Sequence, residues 1–331
     1  MRIPAQEICK QLYKILVKYN FRKEGARILA NIFTESSLDG VYSHGLERFP
    51  RFIQYIRDGF VKVNAEPERT GTFGNIEQWN GNLGSGILNA VHCMDRAIEI
   101  AGKAGIGCVA LSNTNHWMRG GSYAWQAVEK GFIGICWTNT SPNMVAWGSR
   151  ESILGNNPFV IGIPRTEGPI VLDMALSQFS FGKIESYAIE KRPLPFPGGW
   201  DNKGELTTDP EVLLSNGMSL PIGYWKGSGL SFVLDLLASI LSSGDPTCRI
   251  GKRSYEYGLS QIFIAININW LDSEAIDHMM HEVIQYMRNS QPRIEGEDIR
   301  YPGESTLKTR MENRVKGIPV NEKTWKIILD L

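Results

Sequence analysis

"IGCVALSNTNHWMRGGSYAWQAVEKGFIGICWTNT", residues 106–140, decides the fold class. "IGCVALSN" is a short apolar run that reads as a buried strand, and "TNHWMRGG" is a loop. A helix follows from Ser122, "SYAWQAVEKG", and then a second buried strand, "FIGICWTNT". A strand, loop, helix and strand with polar residues at the strand ends point to an α/β protein.

Working outward, "ILNAVHCMDRAIEIAGKAG" (87–105) reads as a helix, and "PFVIGIP" (158–164), "PIVLDMA" (169–175) and "SQIFIAINI" (260–268) as apolar strands. The chain begins with two helices, 5–18 and about 22–38, the second stopping at Gly40, a natural left-handed cap. "YSHG" reads as a short loop, and apolar spacing predicts a helix over 46–58, with Pro50 tolerated in its first turn and Gly59 at its end. Residues 1–60 thus form a helical N-terminal cap, expected to pack with the C-terminal helix. Residues 61–331 form an α/β cofactor- and substrate-binding region that need not be continuous. The Pro/Gly-rich stretch 192–211 reads as a long lid or binding loop, and a helix is expected over about 228–242.

Lys+Arg and Asp+Glu balance at 35 each, so no overall field favours nucleic acid or an anionic membrane. The opening residues read as an amphipathic helix rather than a secretory leader, and no apolar run approaches a membrane span. Cys9, Cys93, Cys108, Cys136 and Cys248 are odd in number, scattered and free of any CxxC, which fits free thiols in a reducing cytoplasm.

Familiar nucleotide motifs fail. The nearest approach to a Rossmann fingerprint, "GSGLSF" (227–232), has Phe232 where the third glycine belongs. "GDPTCRIGKRS" (244–254) has six residues between Gly244 and Gly251 where a P-loop needs four. In "HMMHE" (278–282) two histidines lie three apart without a third ligand pattern, so a surface helix is expected and no metal site. His92 gets the same structural reading. Ser43 and His44 are neighbours whose side chains are expected to diverge, which excludes a hydrolase triad on them.

Three constellations survive. His44 and Arg48 lie four apart, so on one helical face an imidazole could exchange a proton beside a guanidinium that clamps a carboxylate. Spacing alone fits a helix cap and an ordinary ion pair equally well. His116 lies at the carboxyl end of a buried strand, where ligands gather in α/β sheets, with Arg119 as a mobile cation beside it. Lys226, in "GYWKGSG" (223–229), stands just before a helix start and suits an anion, with Trp225 free to stack on a planar ring or to join the core.

Taken together, "GVYSHGLERFPRFIQ", "NHWMRGGSYAWQAVEKGFIGICWTN", "VLDMALSQFSFGK", "PIGYWKGSGLSFVLD" and "EYGLSQIFIAI" resemble the type-2 malate/L-lactate dehydrogenase family, also called L-sulfolactate-dehydrogenase-like. The resemblance covers essentially the whole chain, and "NHWMRGGSY" is similar to a branch acting on a diketo sugar acid. It implies an oxidoreductase using NADH, or NADPH, on 2-oxo or 2-hydroxy acids. It also implies a nicotinamide-binding fold that is not Rossmann, and a cytoplasmic homodimer with sites near the subunit interface. By motif, His44 is implied as proton donor, Arg48 as carboxylate anchor and His116 as a second site histidine. Pro169, Ile170, Val171, Leu172, Asp173, Met174, Ala175, Trp225, Lys226, Gly303, Glu304, Ser305 and Thr140 resemble cofactor-contacting positions. Ser43 and Arg119 are candidates for the substrate's polar tail. Segments 197–199 and 244–254 vary in the family and transfer no contact. Other substrates (malate, lactate, sulfolactate, ureidoglycolate) stay open. A catalytically silent binding protein is the reading from another class, and the joint presence of His44, Arg48, His116 and Lys226 argues against it.

Overall fold

The computed structural model describes residues 1–331. Its centre is a seven-stranded sheet of β1 (Glu68–Phe73), β2 (Ile76–Asn80), β3 (Ile106–Thr114), β4 (Phe132–Thr138), β5 (Phe159–Ile163), β6 (Ile170–Met174) and β7 (Leu259–Asn267), in the order β1-β2-β3-β7-β4-β5-β6. Only β2 and β3 pair in parallel. β7 lies between β3 and β4 and runs antiparallel to both, with Ile262 opposite Ala110 on one side and Trp137 on the other. Residues 106–140 therefore do form strand, helix and strand, but the two strands never touch. A Rossmann sheet needs them as parallel neighbours, so the missing fingerprint has a topological counterpart.

Alternation along the central strands separates the two faces of the sheet. Val109, Leu111, Phe263 and Ala265 join a large core with α4 (Gly86–Ala104) and α5 (Gly121–Val128). Their sequence neighbours Ala110 and Ile262 turn the other way, to Leu234 and Ala238 of the helix Trp225–Ser242. The large core also takes in α1 (Ala5–Lys18), α2 (Lys23–Leu38) and α3 (Phe49–Arg57), together with Ile318 and Ile328 near the C-terminus. Arg2–Ile3 pairs with Ile318–Pro319, which ties the two ends of the chain together.

Several local expectations need correction. "YSHG" is a 3₁₀ turn over Tyr42–His44, and a second one, Leu46–Arg48, precedes α3, so the helix starts later than its apolar spacing suggests. The 192–211 segment is not structureless: Gly199–Trp200 pairs with Leu206–Thr207, and α7 (Pro210–Asn216) opens on an Asp209 cap, after α6 (Phe181–Ile189). The later helix begins at Trp225, not near 228, and is labelled α8; Lys226 therefore lies inside its first turn. After it come α9 (Thr247–Ile250), α10 (Ser273–Arg288), α11 (Glu304–Lys316) and α12 (Glu322–Leu329). No helix is long and apolar enough to cross a membrane. All five cysteines are free.

Candidate active site

His44 ends the first 3₁₀ turn, which is pressed against α2. A Cβ on Gly45 would stand 2.1 Å from Ser37 Oγ, so only glycine lets the turn come this close. That Ser37 Oγ accepts the Leu46 N–H at 2.9 Å and fixes the way out of the turn. His116 arrives from the opposite side on the loop after β3. Asn115 anchors that loop by donating to the carbonyls of Phe60, Leu83 and Gly84 at 2.8–3.0 Å. The loop also rests on the start of α4, where a Cβ on Gly86 would meet the Asn115 and His116 carbonyl oxygens at 2.1 and 2.4 Å.

The two imidazoles end up roughly stacked, centroids 6.0 Å apart and planes 26° apart. Arg48 and His116 line one narrow cleft with Arg51, Phe52, Tyr55 and Met118. His116 is thereby brought to the neighbouring pair His44 and Arg48 from a distant part of the sequence. Arg51, which sequence reasoning passed over, donates to Tyr55 Oη at 3.1 Å. Its i+3 spacing from Arg48 was the available signal.

Electrostatics hold both histidines neutral in this site. Burial and then the Arg48 charge push His44 down to about 4, against the opposing pull of Asp173. His116 is driven well below its ordinary value by burial, then by Arg48, His44 and Arg51. Arg48 is itself lowered by burial and by Arg51. Arg48 and Arg51 thus give the cleft a positive potential, which Glu256 and Glu185 oppose only in part.

The expectation that Ser43 and His44 diverge is overturned. In the tight turn Ser43 Oγ lies 3.1 Å from His44 Nδ1. His116 Nδ1 instead accepts the Met118 N–H at 2.9 Å, which leaves its own proton on Nε2. Arg119 is not a mobile cation either. It is buried and ion-paired with Asp39, with its Nε 3.5 Å from Asp173 Oδ2. Asp39 gave a sequence signal that went unread: a carboxylate closing a helix opposes the helix dipole and needs cations to offset it.

The other singled-out stretches adjoin one another. The Val171 N–H donates to the Pro302 carbonyl at 3.0 Å, and Gly303, at φ 92°, packs on Val171. Just beyond Ala175, the Ile222 N–H donates to the Leu176 carbonyl at 2.8 Å. Pro169 to Ala175 therefore runs between the Gly303–Ser305 turn and the turn leading to Trp225 and Lys226. Within it Asp173 accepts the Gly121 N–H at 3.0 Å. Glu304 is engaged by Arg288 at 2.5 Å, and Ser305 Oγ by Arg300 at 3.3 Å. Thr140 Oγ1 is buried within 3.4 Å of the Ser141 carbonyl and the Asn156 and Asn157 side chains. Trp225, 64% exposed, stands at the start of α8 after the strained Tyr224 (φ 59°), beside exposed Lys226. A flat aromatic face beside a cation suits a dinucleotide, while the Lys226 and Gly227 N–H groups of the first turn are already taken by the Gly223 and Ile222 carbonyls.

Comparison with known proteins identifies the family. The malate/L-lactate dehydrogenase family matches residues 3–329. A protein of Salmonella paratyphi A named 2,3-diketo-L-gulonate reductase is 44% identical over 98% of both chains. One of the same name from Escherichia coli O127:H6 is 43% identical over the same share. Among solved structures, sulfolactate dehydrogenase from Methanocaldococcus jannaschii superposes with a TM-score of 0.90 at 29% identity, covering 99% of this chain and 95% of that one. Malate dehydrogenase from Entamoeba histolytica gives 0.95 at 28% identity, covering 100% and 96%. The chain belongs to the malate/L-lactate dehydrogenase family, and it is an oxidoreductase of the kind that works with a nicotinamide cofactor.

Proposed function

We propose that this enzyme reduces 2,3-diketo-L-gulonate to 3-keto-L-gulonate, with His44 as proton donor, Arg48 as carboxylate anchor and NADH as the preferred cofactor. The reading of substrate rests on the relatives of that name, which match this chain from end to end. A 2-oxo acid suits the positive cleft: its carboxylate supplies negative charge between Arg48 and the two histidines. When bound, the nicotinamide cofactor would supply the hydride that the C2 carbonyl carbon takes up. Arg48 holds the carboxylate by paired hydrogen bonds and so sets which carbon is presented. His44 delivers a proton to the developing alkoxide, and its neutral form is left behind.

The single observation that favours His44 over His116 is the partner of each Nδ1. His116 Nδ1 faces a backbone N–H, which can only donate, so charging this ring would break that bond. His44 Nδ1 faces a hydroxyl, which turns to donate or accept and so tolerates both protonation states. His116 is left as a neutral Nε2–H donor suited to orienting the substrate. In place of Arg119, Arg51 and Tyr55 are the polar groups at hand for the sugar-acid tail.

Residues Pro169, Ile170, Val171, Leu172, Asp173, Met174 and Ala175, with Thr140, Trp225, Lys226, Gly303, Glu304 and Ser305, would hold the cofactor. A homodimer is the proposed working form. α8 exposes Phe232, Val233, Leu236, Leu237 and Ile240 on successive turns, an apolar face that a second copy would cover. Free cysteines throughout fit a cytoplasmic enzyme.

The test is NADH and NADPH oxidation, followed by absorbance, over a panel of 2-oxo acids. Turnover should be fastest with 2,3-diketo-L-gulonate and NADH. A higher kcat/KM with oxaloacetate, pyruvate or sulfopyruvate would reassign the substrate. His44→Asn should lower turnover by about two to four orders of magnitude while cofactor binding stays intact. Parental turnover would move the acid role elsewhere.

A further inference from the structure

Behind the His44 turn four charged side chains stand in a row, Asp39 and Arg119 buried, Arg310 partly buried and Asp173 reaching the surface. Asp39, at the end of α2, has no exposed side-chain surface. It accepts from Arg310 of α11 through Nε at 2.6 Å and Nη2 at 2.8 Å, and from Arg119 Nη1. Arg119 is pulled two ways. Its Nη1 is fixed on Asp39, while its Nε faces Asp173 Oδ2 at 3.5 Å and has no hydrogen-bond partner. Asp173 in turn acts on His44. Two guanidiniums and two carboxylates balance, but burying the Asp39–Arg119 pair at their centre gains little stability over a well-packed apolar set, so the arrangement calls for another use.

The row crosses four parts of the fold: α11, α2, the loop after β3, and β6. Arg310 also lies over the Trp125 ring at 4.2 Å. On this side it borders a cleft of about 380 Å³ that Glu35, Glu129 and Trp125 help to line. The groups facing His44 are Ser43 on its own turn, Arg48 before α3, His116 and Arg119 on the β3 loop, and Asp173 on β6. Those acting on Arg310 are Asp39 and Glu35 of α2 and Glu129 after α5.

We infer that Arg310 and Asp39 are positioning residues for the proton donor: Asp39, shared between two guanidiniums, sets how closely Arg119 approaches Asp173, and so how much of the Asp173 charge reaches His44. This rests on His44 being the acid. Two opposite consequences follow. Without Arg310, Asp39 draws Arg119 to itself, Asp173 is left less neutralised, and His44 charges more readily. Without the Asp39 charge, Arg119 closes on Asp173, cancels its field, and His44 charges less readily. Arg310 works only through Asp39, so its removal should change nothing further once Asp39→Asn is in place.

The experiment compares Arg310→Gln, Asp39→Asn and the double variant in the whole enzyme. Two quantities are read: the His44 titration midpoint by proton NMR, assigned through the signal lost in His44→Asn, and the pH profile of kcat/KM for reduction. Arg310→Gln should raise the midpoint and Asp39→Asn should lower it, each on the order of one pH unit. The double variant should match Asp39→Asn; it keeps the charges balanced and serves if a single variant does not fold. Arg310→Lys, which keeps a cation on Asp39, should leave the midpoint near the parent's. Shifts of the same sign in both single variants, or no shift in either, would overturn the inference, because loss of packing has no reason to move the midpoint in opposite directions. The NMR midpoint is read without turnover, so it tests the positioning pair even if His44→Asn proves active and the acid is reassigned. Inactive His44→Asn with unmoved midpoints would sink the pair alone.

Discussion

Raising the pH should cut kcat/KM for reduction long before it touches kcat. His44 is pushed down to about 4 in the empty cleft, against an ordinary 6.5. That difference opposes charging by about 3 kcal/mol, and leaves roughly one ring in a thousand protonated at pH 7. A substrate carboxylate clamped by Arg48, about 5 Å from the imidazole, returns about 3 kcal/mol at an effective dielectric constant of about 20. The two effects nearly cancel, so His44 in the substrate complex should titrate near its ordinary value. Reduction needs the charged ring. From about pH 5 to 8, kcat/KM for the acid should therefore fall about tenfold per pH unit, while kcat holds until about pH 6.5. Binding of the 2-oxo acid should take up nearly one proton at about pH 5.5 and about a quarter of one at about pH 7. Calorimetric titration in buffers of different ionisation heat measures that uptake, and a deuterated-cofactor isotope effect on kcat/KM establishes that hydride transfer is being observed. A kcat/KM that stays flat from pH 5.5 to 8.5, with no proton taken up, would refute the assignment. The same depression acts on stability. The unfolded ring binds its proton near 6.5 and the folded ring only near 4, so stability is full above about pH 6.5 and declines as pH falls between those values.

Arg48→Lys should raise the KM for the acid strongly and leave the cofactor KM little changed, because a point charge replaces a planar fork; equal kinetics would make Arg48 structural. Gly45→Ala should destabilise the fold by about 1–3 kcal/mol in thermal unfolding and lower kcat as well, since the new Cβ would meet Ser37 N at 2.9 Å and Phe33 O at 3.0 Å as well as Ser37 Oγ. An unchanged Tm would mean that the turn does not rest on α2 as described. Lys226→Ala should weaken NADH binding, more so at low salt, as followed by fluorescence titration; parental affinity would remove Lys226 from the cofactor site.

Periodicity carried the long elements. The apolar runs of β3, β4 and β7 and the amphipathic faces of α1, α2 and α4 are local properties, and they are where the spacing put them. It did not reveal that β7 enters between β3 and β4, because strand order is set by which surfaces bury one another, not by any one stretch. The β1–β2 hairpin escaped notice because β1 is largely exposed and lacks apolar alternation. In the candidate site, His44, Arg48 and His116 could be picked out by residue type and position, since imidazoles and guanidiniums are capable of chemistry that few side chains can do. Arg310 could not. Its meaning depends on Asp39, 271 positions away, and an arginine on a polar helix has no local mark of burial.

Placing β7 at the centre has a consequence for how the chain reaches its native state. Leu259–Asn267 must arrive before the facing edges of β3 and β4 are satisfied, roughly 150 residues after β3 has been made. During synthesis the N-terminal half would present two apolar strands with open backbone edges for several seconds, the situation in which chains pair wrongly with one another. The ends meet later still, when Ile318–Pro319 closes on Arg2–Ile3. High contact order of this kind implies slow folding, and shortening the chain before Leu259 would leave a sheet split in two, not a smaller enzyme.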